Sequence, residues 1–146
     1  MKIKIKKLHP DAVVPKYATG GASGFDLVAL EDVEFTLGET KLVKTGLAID
    51  VGPGYELQVR PRSGLSLKTG LRITNSPGTV DSDYRGEVCV IMMLVPANGY
   101  LSYKIKKGDR IAQGVVCPVV RADIEVVEDL EDTSRGSGGF GSTGSN

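Results

Sequence analysis

Short apolar runs separated by glycine-containing turns dominate the sequence and limit the folds that the chain can adopt. In the clearest run, Tyr55–Arg60, apolar and polar residues alternate with the period of a half-buried strand. Glycine occurs 19 times, which suits tight turns between such strands. The pattern predicts an all-β fold, a distorted jelly-roll barrel or sandwich. Further strands are expected at 2–6, 25–30, 40–45, 47–51, 71–74, 88–95, 100–105, 110–120 and 124–127.

One segment has a different pattern and predicts the only helix. Residues 63–69 form a short stretch with Ser63 as a candidate N-cap, and Gly70 follows it. The sequence Gly-Pro-Gly at 52–54 predicts a hairpin between the strands that flank it. The expected architecture is therefore a jelly roll that contains one short helix.

Charge and cysteine usage exclude several classes of protein. The chain has 18 basic and 18 acidic residues, so neither a nucleic-acid-binding nor a membrane-binding surface is indicated. Residues 1–7 alternate in polarity and do not resemble a signal peptide. Cys89 and Cys117 lie in apolar runs, and the single His9 cannot complete a zinc site with them. Reduced, buried thiols in a cytoplasmic protein are expected.

The composition changes near the C-terminus and predicts two parts of unequal size. Residues 1–130 are expected to form the folded domain, and residues 131–146 a flexible arm rich in glycine and serine. A disordered end or linker has the same composition. This segment, however, also contains Arg135 and Phe140, which offer a cation and an aromatic face to a nucleotide.

The stretch 77–88 contains the most suggestive acidic residues. Asp81 and Asp83 stand beside Tyr84, and glycines on both sides allow the backbone to turn sharply. A carboxylate on a tight hairpin against a rigid sheet is suited to general-base catalysis. Asp residues also cap their own backbone in ordinary surface turns. The residues alone do not choose between these two interpretations.

Three other clusters offer contacts for a phosphorylated ligand. Arg62 and Ser63 lie at the start of the predicted helix, where an arginine can bind a phosphate in bidentate fashion. Gln113 ends the polar cluster 108–113 and could donate to a phosphate. Asp26 could hold a metal-bound water or merely anchor a loop. Together these residues predict a site for a phosphorylated small molecule on a β fold.

Five segments, taken in order, resemble the five motifs of the trimeric deoxyuridine triphosphatase (dUTPase) family. They are 22–27, 62–65, 75–88, 108–113 and 135–144. The resemblance implies a jelly-roll homotrimer whose active sites combine motifs from different chains. It also implies hydrolysis of dUTP to dUMP and pyrophosphate with Mg²⁺, which limits uracil incorporation into DNA and supplies dUMP for dTMP synthesis.

The resemblance also implies a role for each matching residue. Asp81 would activate the water that attacks the α-phosphorus, and Tyr84 would pack against the deoxyribose and exclude a 2′-hydroxyl. Asp26 would reach the metal through a water, and Asp83 would be structural, paired with an arginine. The substrate contacts implied are Arg62, Ser63, Gly64, Asn75, Gly78, Thr79, Val80, Asp81, Tyr84, Cys89, Gln113, Arg135, Phe140, Gly141, Ser142 and Thr143.

Two alternative functions remain compatible with parts of the sequence. A dCTP deaminase shares the fold, although the Asp-Tyr-Arg sequence at 83–85 and the Phe-bearing arm speak against it. A non-catalytic jelly-roll binding protein with a flexible tail is the second. The three functions differ in their products: a dCTP deaminase releases ammonia, a dUTPase releases pyrophosphate, and a binding protein releases neither.

Overall fold

A computed structural model describes residues 1–97 and 99–140, and this part of the chain contains eleven strands and one helix. The strands are β1 Lys4–Lys7, β2 Phe25–Val28, β3 Val33–Thr36, β4 Thr40–Lys44, β5 Leu47–Asp50, β6 Tyr55–Arg60, β7 Leu71–Ile73, β8 Gly78–Val80, β9 Cys89–Leu94, β10 Ser102–Ile105 and β11 Arg110–Pro118. The helix α1 spans Ser63–Lys68. Within the described ranges, no helix is long and apolar enough to cross a membrane.

All strand pairs are antiparallel, and they form four small sheets. The largest has the order β2-β11-β6-β8, and the next has the order β4-β9-β7. Two further pairs, β1 with β5 and β10 with β3, complete the layers. The predicted all-β jelly-roll class with one short helix is confirmed.

The core is aliphatic and follows from the two-residue period of the strands. In β6, Leu57 and Val59 are buried, while Glu56, Gln58 and Arg60, which alternate with them, are half-exposed. Phe25 in β2 and Phe35 in β3 are the largest side chains that are fully buried. Burying each such side chain stabilises the fold by about 1.5–3 kcal/mol.

Strand β3 was not predicted, although its sequence carries a signal. Val33 and Phe35 alternate with polar residues, and Phe35 has no exposed surface. The strand pairs with β10, about 70 residues later in the chain. A four-residue strand gives too short a periodic pattern to stand out from its flanking turns.

The hairpin predicted at 52–54 and the tight hairpin suggested for 77–88 are both wrong, because in neither case do the flanking strands pair with each other. Strand β5 pairs with β1, whereas β6 pairs with β11 and β8. Gly52 and Gly54 have φ values of 81° and 79°, and their turn passes the chain from one sheet to another. In the same way, β8 lies in the largest sheet and β9 in the three-stranded one. Turn residues favour a reversal of the chain but do not determine which strands pair afterwards.

The predicted strand at 124–127 is absent from the structure. Residues 119–140 contain no helix or strand. Val120, Ile124 and Val126 are each 94% exposed. The segment has the apolar alternation of a strand, but no neighbouring strand of this chain pairs with it, and an isolated strand has no ladder to stabilise it.

Helix α1 begins one residue earlier than the predicted cap requires. Arg62 occupies the N-cap position without a side-chain capping hydrogen bond, and Ser63 is the first helical residue. The assignment of Ser63 as the N-cap was therefore wrong. At the other end, a Cβ at Gly70 would clash with the carbonyl oxygen of Val95, so only glycine fits this close approach of two backbones.

Candidate active site

The segment between β8 and β9, residues 81–88, is anchored at its returning end to the turn between β4 and β5. The Val88 amide donates to the Leu47 carbonyl at 2.7 Å, and the Thr45 hydroxyl donates to the Val88 carbonyl at 2.5 Å. The Gly46 amide donates to the Glu87 carboxylate at 2.7 Å. These bonds fix the end of the acidic loop against the core.

The same loop fixes the ring of Tyr84. Its amide donates to the Asp81 carbonyl at 3.1 Å, which closes the turn, and its hydroxyl donates to the Glu87 carbonyl at 3.1 Å. A Cβ at Gly86 would clash with the Tyr84 hydroxyl. Glycine at position 86 therefore allows the ring to fold back over its own loop.

A cavity of about 290 Å³, called here the loop cavity, opens beside this ring. Six of the predicted substrate contacts line it: Asn75, Thr79, Val80, Asp81, Tyr84 and Cys89. The remaining residues that line the loop cavity are Leu42, Glu87, Val88 and Ile91. Gly78 is buried, and a Cβ there would lie 3.2 Å from Nδ2 of the Asn75 side chain. The structure thus brings six of the predicted substrate contacts together around one cavity.

The two carboxylates of the loop differ in position. Asp81 lines the loop cavity and Asp83 does not. Among the described residues, neither side chain forms a hydrogen bond or ion pair. Arg85, two residues after Asp83 in the chain, pairs with Asp50 at 3.5 Å. The Asp81 carboxylate is consequently free to accept a proton from a bound water.

A second cavity of about 440 Å³, called here the arginine cavity, lies where β2, β11 and α1 meet. Five predicted residues line it: Asp26, Arg62, Ser63, Gly64 and Gln113. Its other lining residues are Ala18, Ala22, Ser23, Gly24 and Arg110. The two cavities share no lining residue. Within one chain, the predicted site is therefore split into two groups.

Antiparallel pairing brings the residues of the arginine cavity together. Gln113 in β11 is opposite both Asp26 in β2 and Arg60 in β6. Arg62 follows β6 directly, so its side chain reaches the same edge of the sheet. Arg62 Nε lies 2.8 Å from Asp26 Oδ1, and Gln113 Nε2 donates to the Pro61 carbonyl at 2.8 Å.

Arg110 also lines the arginine cavity, and the sequence prediction missed it. Its Nη1 lies 3.2 Å from Asp26 Oδ2. The signal was its position in the polar cluster 108–113, from which only Gln113 was selected. The Asp26 carboxylate therefore lies between two guanidinium groups.

The metal-binding side chains of the described residues suit an ion that is held mainly by a bound phosphorylated substrate. No group of three or more His, Cys, Asp or Glu side chains comes together in this part of the chain. Asp26 is the one carboxylate that lines the arginine cavity. A Mg²⁺ ion keeps several waters and binds through one or two carboxylates and substrate phosphates, which one carboxylate can support.

The cysteines are free thiols, and both are half-buried. Burial raises the pKa of the Cys89 thiol to about 11, and the nearby Glu87 carboxylate acts in the same direction. Cys89 therefore contributes a neutral thiol to the wall of the loop cavity.

The predicted arm residues lie apart from both cavities. Arg135 is exposed, and its Nε donates to the Gly138 carbonyl at 2.7 Å. Phe140 is fully exposed, with a φ of 52°. The predicted contacts Gly141, Ser142 and Thr143 lie outside the described residues.

The chain matches known proteins along almost its whole length. The dUTPase family model matches residues 11–144. Deoxyuridine 5′-triphosphate nucleotidohydrolases of Nautilia profundicola and Helicobacter pylori strain P12 are each 54% identical over 144 residues. That alignment covers 99% of this chain in both cases, and 99% and 97% of the two relatives.

Solved structures show the same similarity. A variant of the Staphylococcus bacteriophage 80alpha dUTPase with dUpNHpp has a TM-score of 0.90 at 27% identity, covering 98% of both chains. A variant of the dUTPase from phage phi11 of S. aureus, described with a structural Mg(II) ion, has a TM-score of 0.82 at 25% identity. It covers 90% of this chain and 100% of that one.

The fold and the two cavities define the class: an all-β protein with one cavity beside the acidic loop and a second one lined by Arg62 and Arg110. Within that class, the sequence and structural matches are specific. The chain belongs to the dUTPase family.

The raised pKa of Cys89 gives a first prediction. Near neutral pH, a thiol of pKa about 11 has a thiolate fraction several hundredfold below that of an ordinary cysteine, whose pKa is roughly 8.5. Its more basic thiolate is also more nucleophilic, so iodoacetamide should alkylate Cys89 roughly ten- to thirtyfold more slowly than a short peptide thiol. The measurement is the alkylation rate, by mass spectrometry, of a Cys117→Ser variant in which Cys89 is the only thiol.

The Cys89→Ser variant is the matched control, since only Cys117 then reacts. The Cys89 rate should rise steeply as the pH approaches 11. Alkylation of Cys89 at the rate of the peptide near neutral pH would contradict its burial in the cavity wall.

Proposed function

We propose that the chain hydrolyses dUTP to dUMP and pyrophosphate, with Asp81 as the general base for the attacking water. One observation carries the assignment of the base: in a dUTPase-family chain, the Asp81 carboxylate lines the cavity beside Tyr84 without an internal partner among the described residues. Neither oxygen of Asp26 is free in this way, because two arginines bind them. Correct placement of the base and water contributes a large part of such a rate enhancement.

The loop cavity binds the deoxyuridine part of the substrate. Tyr84, held through its hydroxyl to the Glu87 carbonyl, packs against the deoxyribose and leaves no room for a 2′-hydroxyl. Asn75 and the backbone of 78–80 and Cys89 hydrogen-bond the uracil edge. The narrow loop around the uracil leaves no room for a thymine methyl, which would overpack the site.

The arginine cavity binds the triphosphate. Arg62 offers a planar guanidinium to a phosphate, and Ser63, Gly64 and Gln113 offer further donors at the same edge. Mg²⁺, when bound, neutralises charge on the phosphate oxygens and orients the chain of phosphates. Asp26 would contact one of its waters and not the ion itself.

A homotrimer with shared sites accounts for two features of the single chain. The loop cavity and the arginine cavity share no residue. A complete site can therefore combine the loop cavity of one subunit with the arginine cavity of a neighbouring copy. The apolar side chains of Val120, Ile124 and Val126 are exposed, and a neighbouring copy would cover them. The substrate is then bound between subunits.

We also propose that residues 131–146 act as an arm that closes over the bound nucleotide, while residues 1–130 form the jelly-roll domain. Phe140 is fully exposed and would stack on the uracil ring. Arg135, with Ser142 and Thr143, would bind the γ-phosphate. Closure excludes bulk water and so strengthens the contacts with the phosphates.

A cytoplasmic location is inferred for this enzyme. Its two cysteines are free thiols, as is usual in a reducing compartment. There it would limit uracil incorporation into DNA and supply dUMP for dTMP synthesis.

The decisive test measures pyrophosphate release from dUTP, dTTP, dCTP and UTP under the same conditions. Release from dUTP alone is expected, because the loop cavity selects both the base and the sugar. Ammonia released from dCTP would favour a deaminase instead. Absence of turnover on all four nucleotides would favour a non-catalytic binding protein.

Replacement of the proposed base separates catalysis from binding. Asp81→Asn keeps the size of the side chain but cannot accept the proton from water. The kcat on dUTP should fall by roughly 10²- to 10⁴-fold, while the Kd for dUpNHpp should stay within a few-fold of the wild-type value. Steady-state kinetics and calorimetry measure the two quantities.

Asp83→Asn is the matched control, because it makes the same change two residues away, outside the loop cavity. It should retain turnover within several-fold of wild type. If Asp81→Asn retained near-wild-type turnover, or if both variants lost it equally, Asp81 would not be the base.

Truncation tests the arm. A chain that ends at Ser134 lacks every proposed arm contact but keeps all eleven strands and α1. It should remain folded by circular dichroism and keep its size in gel filtration, yet lose most of its turnover. Arg135→Ala, in the full-length chain, should show part of the same loss. Unfolding of the truncated chain would show instead that the arm is structural.

A further inference from the structure

The Asp26 carboxylate bridges two arginines in the arginine cavity. Arg62 Nε lies 2.8 Å from Oδ1, and Arg110 Nη1 lies 3.2 Å from Oδ2. The Nη1 of Arg62 also donates to the carbonyl of Arg110 at 3.1 Å. The two arginines are therefore connected to each other as well as to the shared carboxylate.

The groups proposed to bind the ligand in the arginine cavity also contact one another. Arg62 donates to Asp26 and to Arg110, and the Gln113 amide donates to the Pro61 carbonyl at 2.8 Å. A triphosphate that enters the cavity must compete with these internal acceptors. For Arg62, the competitor is a carboxylate, which is the same kind of planar anionic partner as a phosphate.

If Arg62 left Asp26 to bind a phosphate, the Asp26 carboxylate would lose one of its two cationic partners. Without a second cation, the Asp26 carboxylate would stand unpaired beside the polyanion, and like charges at close range repel. Arg110 already binds the other carboxylate oxygen. It can keep Asp26 neutralised and fixed while Arg62 changes partner.

A bulge in β11 places Arg110 in this position. The register between β11 and β2 shifts between Arg110 and Ala112. Ile111 and Ala112 are consecutive and both buried, which breaks the alternation of the strand. In a regular strand Arg110 would share the buried face of Ala112, and the bulge turns it outward instead.

We propose that Arg110 is a positioning residue for triphosphate binding, which acts by holding Asp26 while Arg62 moves from Asp26 to the phosphates. The inference rests on the proposed function, since it takes dUTP as the ligand. It assigns Arg110 no contact with the reacting atoms. Its effect therefore passes entirely through Asp26.

A double-mutant cycle with Arg110→Gln and Asp26→Asn tests this inference, because Asn removes the charge of Asp at constant size and Gln is a shorter, uncharged polar replacement for Arg. The measured quantity is the Kd for dUpNHpp in the presence of Mg²⁺, by calorimetry on the full-length chain. Arg110→Gln alone should weaken binding about tenfold, within the range of coupled neighbouring charges. In the Asp26→Asn background, the same change should alter the Kd by less than about twofold.

Two further measurements distinguish positioning from general structural damage. Arg110→Lys keeps the positive charge and should recover part of the affinity for dUpNHpp. Deoxyuridine, which has no phosphate, should bind all variants with wild-type affinity, because it occupies only the loop cavity.

Each other outcome overturns the inference. Equal losses of affinity in both backgrounds would make Arg110 a direct phosphate ligand, and no loss in either would leave it without a role in binding. Loss of deoxyuridine binding would indicate a structural role. Failure of the wild-type chain to bind dUpNHpp would overturn the proposed function itself, and this inference with it.

Discussion

The antiparallel pairing of β11 with both β2 and β6 is the constraint on which the arginine cavity depends. It joins β11 to segments about 50 and 90 residues earlier in the sequence. Closing such long loops costs conformational entropy. Gln113 lies where the two ladders overlap, opposite Asp26 and Arg60. Because the side chains of this edge come from three strands, a slip of one residue in either ladder would separate Asp26 from Arg62.

The loop cavity depends on a different kind of constraint, a local loop fixed between two sheets. Strand β8 ends in the largest sheet and β9 begins in the three-stranded one. The returning end is bound to Thr45, Gly46 and Leu47. A loop that is fixed at both ends can hold Tyr84 and Asp81 at a defined distance from the sheet, as the roles proposed for them in substrate selection and water activation both require.

Sequence alone could predict the elements better than their connections. Periodicity predicts most of the strands, and the order of the motifs groups Asp26, Arg62 and Gln113, which line one cavity in the structure. It could not show that Gly52 and Gly54 connect different sheets, because a turn has the same composition whichever strands it joins. The polar cluster 108–113 contains Arg110, but the sequence could not show that Arg110 faces Asp26, because that orientation results from a bulge that the pattern does not encode. The strand expected at 124–127 was wrong for a related reason: strand propensity requires a partner, and the single chain supplies none.

The surroundings of the carboxylates in the two cavities suit the different roles proposed for them. Each oxygen of Asp26 already accepts from a guanidinium group, so a water that binds there shares the carboxylate with two cationic donors. The Asp81 carboxylate has no such partner among the described residues. An acid that must bind a cationic group and an acid that must accept a proton need opposite surroundings. The fold provides them by placing one beside two arginines and the other on a loop whose own arginine, Arg85, is turned toward Asp50.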